Sequence, residues 1–232
     1  MKNLFLVTSA LWSNEGIISP KHRFNQTIDC LENLRKKIPD DVIILTDGSP
    51  NNISKDKIDT ISKYVNAIVI WNKDEDLMKF AAAGRKSEAE VLMLFKMLKI
   101  LRENEDFRKF MPDIKRIFKY SARTILLDEF DINAYDDLEG KYVFKKAIPS
   151  WLPRETQERV TDHLYITRFY SLCSSLVQNY LNVLPKILDT IIDFGVDTEH
   201  AHHMCINKSK IVEFDNLYCE GIISGTAEKE IY

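Results

Sequence analysis

An excess of charge of either sign is missing from this chain. Its 32 lysines and arginines are nearly matched by 35 aspartates and glutamates, leaving a net charge of −3 over 232 residues. Such a chain has no global field to hold it on nucleic acid or on an anionic membrane, so any anion site must be built from a few local groups. Long hydrophobic runs are missing too. No apolar stretch approaches the roughly 18 residues that a membrane span needs. The N-terminal run Leu4–Thr8 is too short for a signal core and no small-residue cleavage site follows it, so it reads as a first buried strand. No integral membrane segment is expected. Paired cysteines are also lacking: Cys30, Cys173, Cys205 and Cys219 lie far apart and form no C-x-x-C. They read as reduced thiols in a cytoplasmic protein. Repeats, low-complexity tracts and a clear linker are absent, and a single domain over residues 1–232 is the expectation.

What is present is an alternation of strand and helix signals. Leu4–Thr8 is a continuous apolar run ending in Thr8-Ser9, as a central parallel strand would be. Arg23–Lys37 carries Phe24, Ile28, Leu31 and Leu34 at helical spacing and is stopped by Pro39. Asp41–Leu45 predicts a second strand, and the following Thr46-Asp-Gly-Ser-Pro-Asn-Asn is a dense turn signal. Ser54 caps a helix to Tyr64, and Ala67–Trp71 predicts a third strand followed by a polar loop. Ser87 and Glu90 have the spacing of a capping box, ahead of an apolar face of Val91, Leu94, Phe95, Leu98 and Leu101. Arg116–Tyr120 reads as a fourth strand and Thr124–Leu127 as a short extended piece. Residues 133–159 read as irregular. Leu164–Phe169 predicts a strand, Ser174–Ile192 an amphipathic helix stopped at Gly195, Thr198–Ile206 a helix, and Lys210–Phe214 a last strand.

Repeated β-α-β units imply a mostly parallel central sheet with helices on both faces. Ligands of such sheets sit beyond the carboxyl ends of the strands. That rule selects Thr8-Ser9, Asp47-Gly48-Ser49, Trp71-Asn72 and the stretch Ser121–Arg123. Asp47 followed by glycine can accept hydrogen bonds from a base or ribose where the backbone comes close, or can simply belong to a surface turn.

The segment Val42-Ile-Ile-Leu-Thr-Asp-Gly-Ser-Pro-Asn-Asn resembles the strand-Asp-Gly-Ser turn of GT-A nucleotide-sugar glycosyltransferases, and the order of elements over residues 3–125 is similar to theirs. The resemblance implies a GT-A, Rossmann-like fold with a nucleotide-sugar-binding half at 1–130 and an acceptor-side half at 131–232. It implies transfer of a sugar from a nucleoside-diphosphate sugar to a glycan or lipid-linked glycan hydroxyl, with Thr8, Ser9 and Asp47 holding the nucleoside. The family places a D-x-D pair at the end of the fourth strand to hold a divalent metal on the diphosphate. Here that place reads Lys119-Tyr-Ser121-Ala-Arg123. Lys119 and Arg123 can neutralise a diphosphate themselves, and no metal is then required; otherwise the resemblance implies Mn or Mg. The literal D-x-D, Asp74-Glu-Asp76, comes one element early and is either a displaced metal site or a solvated acidic loop.

Further groups complete the expected site. Gly84-Arg85-Lys86-Ser87 looks like the tail of a phosphate loop but lacks the first glycine at the needed spacing; it still sets Arg85 and Lys86 at a helix start. Asp197-Thr-Glu-His-Ala-His-His is the densest titratable cluster, with Glu199 sharing helix faces with His202 and His203. Glu199 is the first candidate for the base that takes the acceptor proton and Asp128 the second. His200, His202 and His203 are alternatively metal ligands or surface groups. Among Trp12, Trp71 and Trp151, the last lies between prolines and is the candidate acceptor platform, and His200 is a further acceptor-side candidate. Two other readings stay open: a metal-dependent nucleotidyltransferase or phosphate-handling hydrolase using Asp74, Asp76, Asp128 or Asp131, and a non-catalytic binding module that keeps a transferase-like fold. No D-x-D-x-[TV] follows the first strand, which argues against a phosphatase of the haloacid-dehalogenase type.

Overall fold

The computed structural model describes residues 2–12, 18–222 and 229–232. The four strands expected in the first half form as β1 (Lys2–Ser9), β2 (Val42–Asp47), β3 (Ala67–Ile70) and β4 (Ile114–Ser121). Between them run α1 (Pro20–Lys37), α2 (Lys55–Ile61), α3 (Glu75–Ala82), α4 (Lys86–Glu103) and the single turn α5 (Glu105–Arg108). Further on come β5 (Thr124–Leu126), β6 (Tyr142–Lys145), β7 (Ile148–Pro149), α6 (Arg154–Gln157), β8 (His163–Leu164) and β9 (Phe169–Cys173). The chain closes with α7 (Val177–Phe194), α8 (Thr198–Cys205), β10 (Ile211–Phe214), β11 (Cys219–Ile222) and β12 (Lys229–Ile231).

The central sheet has the order β10-β6-β9-β4-β1-β2-β3. Its β3-β2-β1-β4 half is parallel throughout, while β9 runs antiparallel to both β4 and β6. Both faces are covered, which is why β1 reads as an unbroken apolar run. Leu4 and Leu6 pack toward α4 and α7, and Phe5 and Val7 toward α1. Helix α7 ends at Gly195, whose φ of 64° is the left-handed cap that glycine adopts without strain.

Several local expectations are corrected. Residues 133–159 hold β6, a buried sheet strand. It is only four residues long and covered on both faces, so it shows no alternation. The strand expected at Leu164–Phe169 splits into β8 and β9, because antiparallel pairing with β4 and β6 selects Phe169–Cys173 from a long apolar stretch. The polar loop after β3 is helix α3, capped by the Asp74 carboxylate accepting from Leu77 N at 2.9 Å. Ser87 is not the cap of α4. The cap position is Arg85, whose Nε pairs instead with Glu88 at 2.8 Å. Ser54 does occupy the cap position of α2, but without a side-chain hydrogen bond.

Candidate functional site

Parallel pairing brings the carboxyl ends of β1, β2 and β4 side by side, with Ser9 opposite Asp47 and Thr8 opposite Ser121. Because β9 is antiparallel, it is the segment before it that reaches this edge, with Phe169 opposite Tyr120 and Thr167-Arg168 just beyond. A cleft of about 320 Å³ opens there, within the range of small-molecule sites.

One end of the cleft is formed by Thr8, Ser9, Trp12, Gly48 and Pro50. Asp47 is beside it but does not line it. Its side chain is fully buried, with Oδ2 accepting from Leu11 N at 3.0 Å and Oδ1 from Ser49 N at 2.9 Å. Burial pushes this carboxyl above its ordinary value, against the pull of those hydrogen bonds. Ser49 Oγ in turn accepts from Trp12 N at 2.8 Å. The Asp-Gly-Ser turn is therefore a staple that fixes the loop after β1. Trp71 is a core residue whose Nε1 donates to Thr46 Oγ1 at 2.6 Å.

One wall is cationic. Arg123 occupies the place after β4 and is joined by Arg23 from the first turn of α1 and Arg168 from the segment before β9. Burial first, and then repulsion by Arg23 and Arg168, lowers Arg123 to about 10. A second wall holds Lys86, Ser87 and Glu90 of α4, Lys119 of β4, Thr167, and Glu199 of α8. Lys119 is 3% exposed; it is ion-paired with Glu90 and its Nζ donates to Thr167 O at 2.8 Å. Burial alone would raise the Glu90 carboxyl, but the Lys119 ammonium overrides it and holds Glu90 below the usual range. Thr167 Oγ1 donates to Glu199 Oε1 at 3.0 Å. Burial, reinforced by the negative charges of Asp197 and Glu90, raises Glu199 to about 7.

The histidines of α8 diverge. His200 is buried between Asp197 Oδ1 at 2.6 Å and Ser150 Oγ at 2.8 Å, with its ring edge-on to Trp151 at 5.2 Å. Trp151 itself is 60% exposed. His202 Nδ1 donates to Thr198 O at 2.7 Å and its Nε2 accepts from the Tyr180 hydroxyl at 2.8 Å; burial lowers it to about 4, so it is neutral. His203 turns to Thr161 at 2.9 Å. The other expected acids are dispersed. Asp128 is fully exposed and pairs with Lys37 at 2.5 Å, outside the cleft. Asp74 and Asp76 both pair with Lys96, and Asp131 caps a turn at Asn133 N. Among the described residues no group of three or more histidine, cysteine, aspartate or glutamate side chains could hold a metal ion. Arg85, stacked on Phe80 at 4.9 Å, faces a shallower groove shared with Lys86, Leu152 and Asp197. Among the described residues no helix is long and apolar enough to cross a membrane.

Thus Thr8, Ser9, Lys86, Lys119, Ser121, Arg123 and Glu199 meet in one cleft, while Asp47, Arg85, Asp128, Trp151 and His200 do not line it. Arg23, Glu90, Thr167 and Arg168 belong to the cleft and were not picked out as site residues from the sequence. A polar pair, Thr167-Arg168, interrupting an apolar run was the one local signal for two of them.

No family model and no curated protein matches the sequence. Solved structures do. Core-mannan synthase A from Aspergillus fumigatus, in an Mn/GDP form, is similar with a TM-score of 0.51 and 10% identity over 93% of this chain and 73% of that one. The mannosyltransferase Ktr4p from S. cerevisiae is similar with a TM-score of 0.55 and 9% identity, over 92% of this chain and 69% of that one. The galactosyltransferase LgtC, in complex with donor and acceptor sugar analogues, gives a TM-score of 0.55 and 8% identity over 90% and 72%. At such identities the likeness is one of architecture, and together with the strand order it shows that this chain has the GT-A glycosyltransferase fold.

Proposed function

We propose that the chain is a glycosyltransferase that moves a sugar from a nucleoside-diphosphate sugar to the hydroxyl of a glycan or lipid-linked glycan. The observation that carries this reading is Glu199. It is a carboxyl raised to about 7, lining the same strand-end cleft as Arg23, Arg123 and Arg168. A base with that value is half ionised at neutral pH and can still accept a proton as the acceptor oxygen attacks. In the transfer, the bond from the anomeric carbon to the diphosphate oxygen breaks and a bond to the acceptor oxygen forms. The hydroxyl proton passes to Glu199 and the electron pair leaves with the diphosphate. Thr167 orients the Glu199 carboxyl through its hydroxyl. Thr8 and Ser9 bind the nucleoside end, and Asp47 supports them by holding the loop between Leu11 and Trp12 rather than by touching the base. Trp151, mounted on His200, offers a face to the acceptor sugar.

A divalent metal fits these residues poorly. Hard cations want several carboxylate or carbonyl oxygens, and the place after β4 offers Ser121 and Arg123. Glu90, the nearest acid on α4, is already neutralised by Lys119. In our reading the leaving group is met by protein cations, Arg123 foremost, with Lys119 serving Glu90 and the backbone. The four thiols, all free, suit a cytoplasmic setting.

Thermal protection across a panel of nucleoside diphosphates tests the reading, followed by product analysis with nucleotide sugars. At least one diphosphate should raise the melting temperature, and Glu199→Gln should bind it but yield no glycoside. Absence of protection by every nucleoside diphosphate, with and without manganese, would end the proposal.

A further inference from the structure

Arg23, Arg123 and Arg168 come from three elements far apart in sequence and line the same cleft wall. Arg23 is 5% exposed and is held by its own backbone surroundings: Nε donates to Ile18 O at 3.2 Å and Nη1 to Ala10 O at 3.4 Å. Arg168 Nη1 donates to Ile222 O at 2.6 Å, and its guanidinium lies 5.8 Å from the centre of the Tyr232 ring. Arg123 is different. Its Nη1 is buried and has no hydrogen-bond partner among the described residues. Three partly desolvated like charges oppose folding, and a buried donor without an acceptor opposes it further. Glu90 offsets part of this through its charge but is itself ion-paired with Lys119, and Glu199 accepts from Thr167. What Arg123 lacks, among the described residues, is an acceptor for that donor.

We infer that Arg23, Arg123 and Arg168 form a guanidinium clamp for the donor's diphosphate, standing where metal-dependent transferases use a divalent cation. The inference rests on the glycosyltransferase reading and adds to it the residues, and the mode, of diphosphate recognition. A guanidinium presents five N–H donors in a fixed fork matched to phosphate oxygens. Three forks at the ends of β1 and β4 can meet both phosphates at once, whereas a monophosphate would leave part of the set unused. As the anomeric C–O bond breaks, charge grows on the terminal phosphate, and preorganised donors stabilise it without reorganising. The backbone contacts of Arg23 and Arg168 supply that preorganisation.

Titration calorimetry in EDTA tests the clamp, using the nucleoside diphosphate that protects best, its monophosphate and its nucleoside. Wild type should bind the diphosphate without metal, and manganese should change the affinity by less than about twofold. Arg123→Ala should weaken the diphosphate by about 10- to 100-fold, the worth of a hydrogen bond to a charged group, while nucleoside affinity moves less than about twofold. Arg168→Ala should act in the same direction if Arg123→Ala folds poorly, and Lys99→Ala on the exposed side of α4 should change nothing. Diphosphate binding that appears only with manganese overturns the clamp and leaves the functional reading standing. So does undiminished diphosphate affinity in both arginine variants. No diphosphate binding under either condition removes the functional reading and the clamp together.

Discussion

The two walls of the cleft solve opposite electrostatic problems. On one, Arg23 and Arg168 each repel Arg123, which keeps a buried donor without a partner among the described residues. On the other, Lys119 and Glu90 cancel, and the remaining acid, Glu199, sits near its midpoint at neutral pH. A buried donor such as Arg123 Nη1, without an acceptor among the described residues, is available to an external anion, so its energy is realised in binding. A wall whose buried lysine is already paired with an acid, and which carries one further titrating carboxyl, is suited to moving a proton. Buried and half-buried ionic groups are therefore not equivalent: what distinguishes a binding group from a supporting one is whether its partner is already in the chain.

The largest expected effect is on the second wall. Glu199→Gln should lower the transfer rate by about 10²- to 10⁴-fold, the usual worth of a positioned base, with little change in diphosphate affinity. The base must be ionised, so the wild-type rate should rise with pH and level off above about 7, the value to which burial and its acidic neighbours raise Glu199. A pH-independent rate between pH 5.5 and 9 would remove Glu199 from the role. The sign for stability is the reverse. A carboxyl raised in the folded state contributes stability below its ordinary value, and that contribution is lost as pH rises through about 7. Melting temperatures of wild type should fall relative to Glu199→Gln across that window. Next in size is Lys119→Met. It leaves Glu90 without its partner and Thr167 O without its donor, and should cost about 3 kcal/mol in urea unfolding, the low end for breaking a buried pair. Adding Glu90→Leu should recover most of that loss. Equal instability of single and double variants would mean that the pair is not internally balanced.

The same distinction marks how far the sequence could be read. The parallel half was legible because β1 and β2 are unbroken apolar runs and the turn chemistry after them is local. Strand β6 was not, since three buried residues between lysines carry no period, and β9 was displaced because its position is decided by pairing with β4 and β6. That displacement hid Arg168 and Thr167, which reach the site only because β9 runs antiparallel. Arg23 could be seen only as the start of a helix. Glu199 and Arg123 stood out as residue types at strand and helix ends, but their surroundings — Thr167, Glu90 and the other arginines — are products of long-range packing. Asp47 is the instructive case. The motif around it pointed to the right edge of the sheet, yet the carboxylate is consumed by the backbone it organises.

Asp47 and Asp128 carry the smaller predictions, and both separate a site carboxylate from one that merely lies near a site in sequence. Asp47→Ala orphans the N–H groups of Leu11 and Ser49 and should cost about 2 kcal/mol of stability, each buried unpaired group being worth roughly 1–3 kcal/mol. Its nucleotide affinity should drop only through loosening of the Leu11–Trp12 loop, so Asp47→Asn, which keeps one acceptor, should recover affinity and stability together. If Asp47→Asn instead discriminated between nucleotide bases at full stability, the side chain would be reading the base. Asp128→Asn should do least. Its carboxylate is fully exposed and its contact is with Lys37, the last residue of α1, whereas Arg23 and Thr27 near the start of that helix line the cleft. An exposed pair of this kind is screened by solvent and contributes little. The transfer rate, its pH profile and the melting temperature of Asp128→Asn should therefore coincide with wild type. A shift in the pH profile alone would show that a second acid shares the proton with Glu199, and the comparison of the two walls would need a third member.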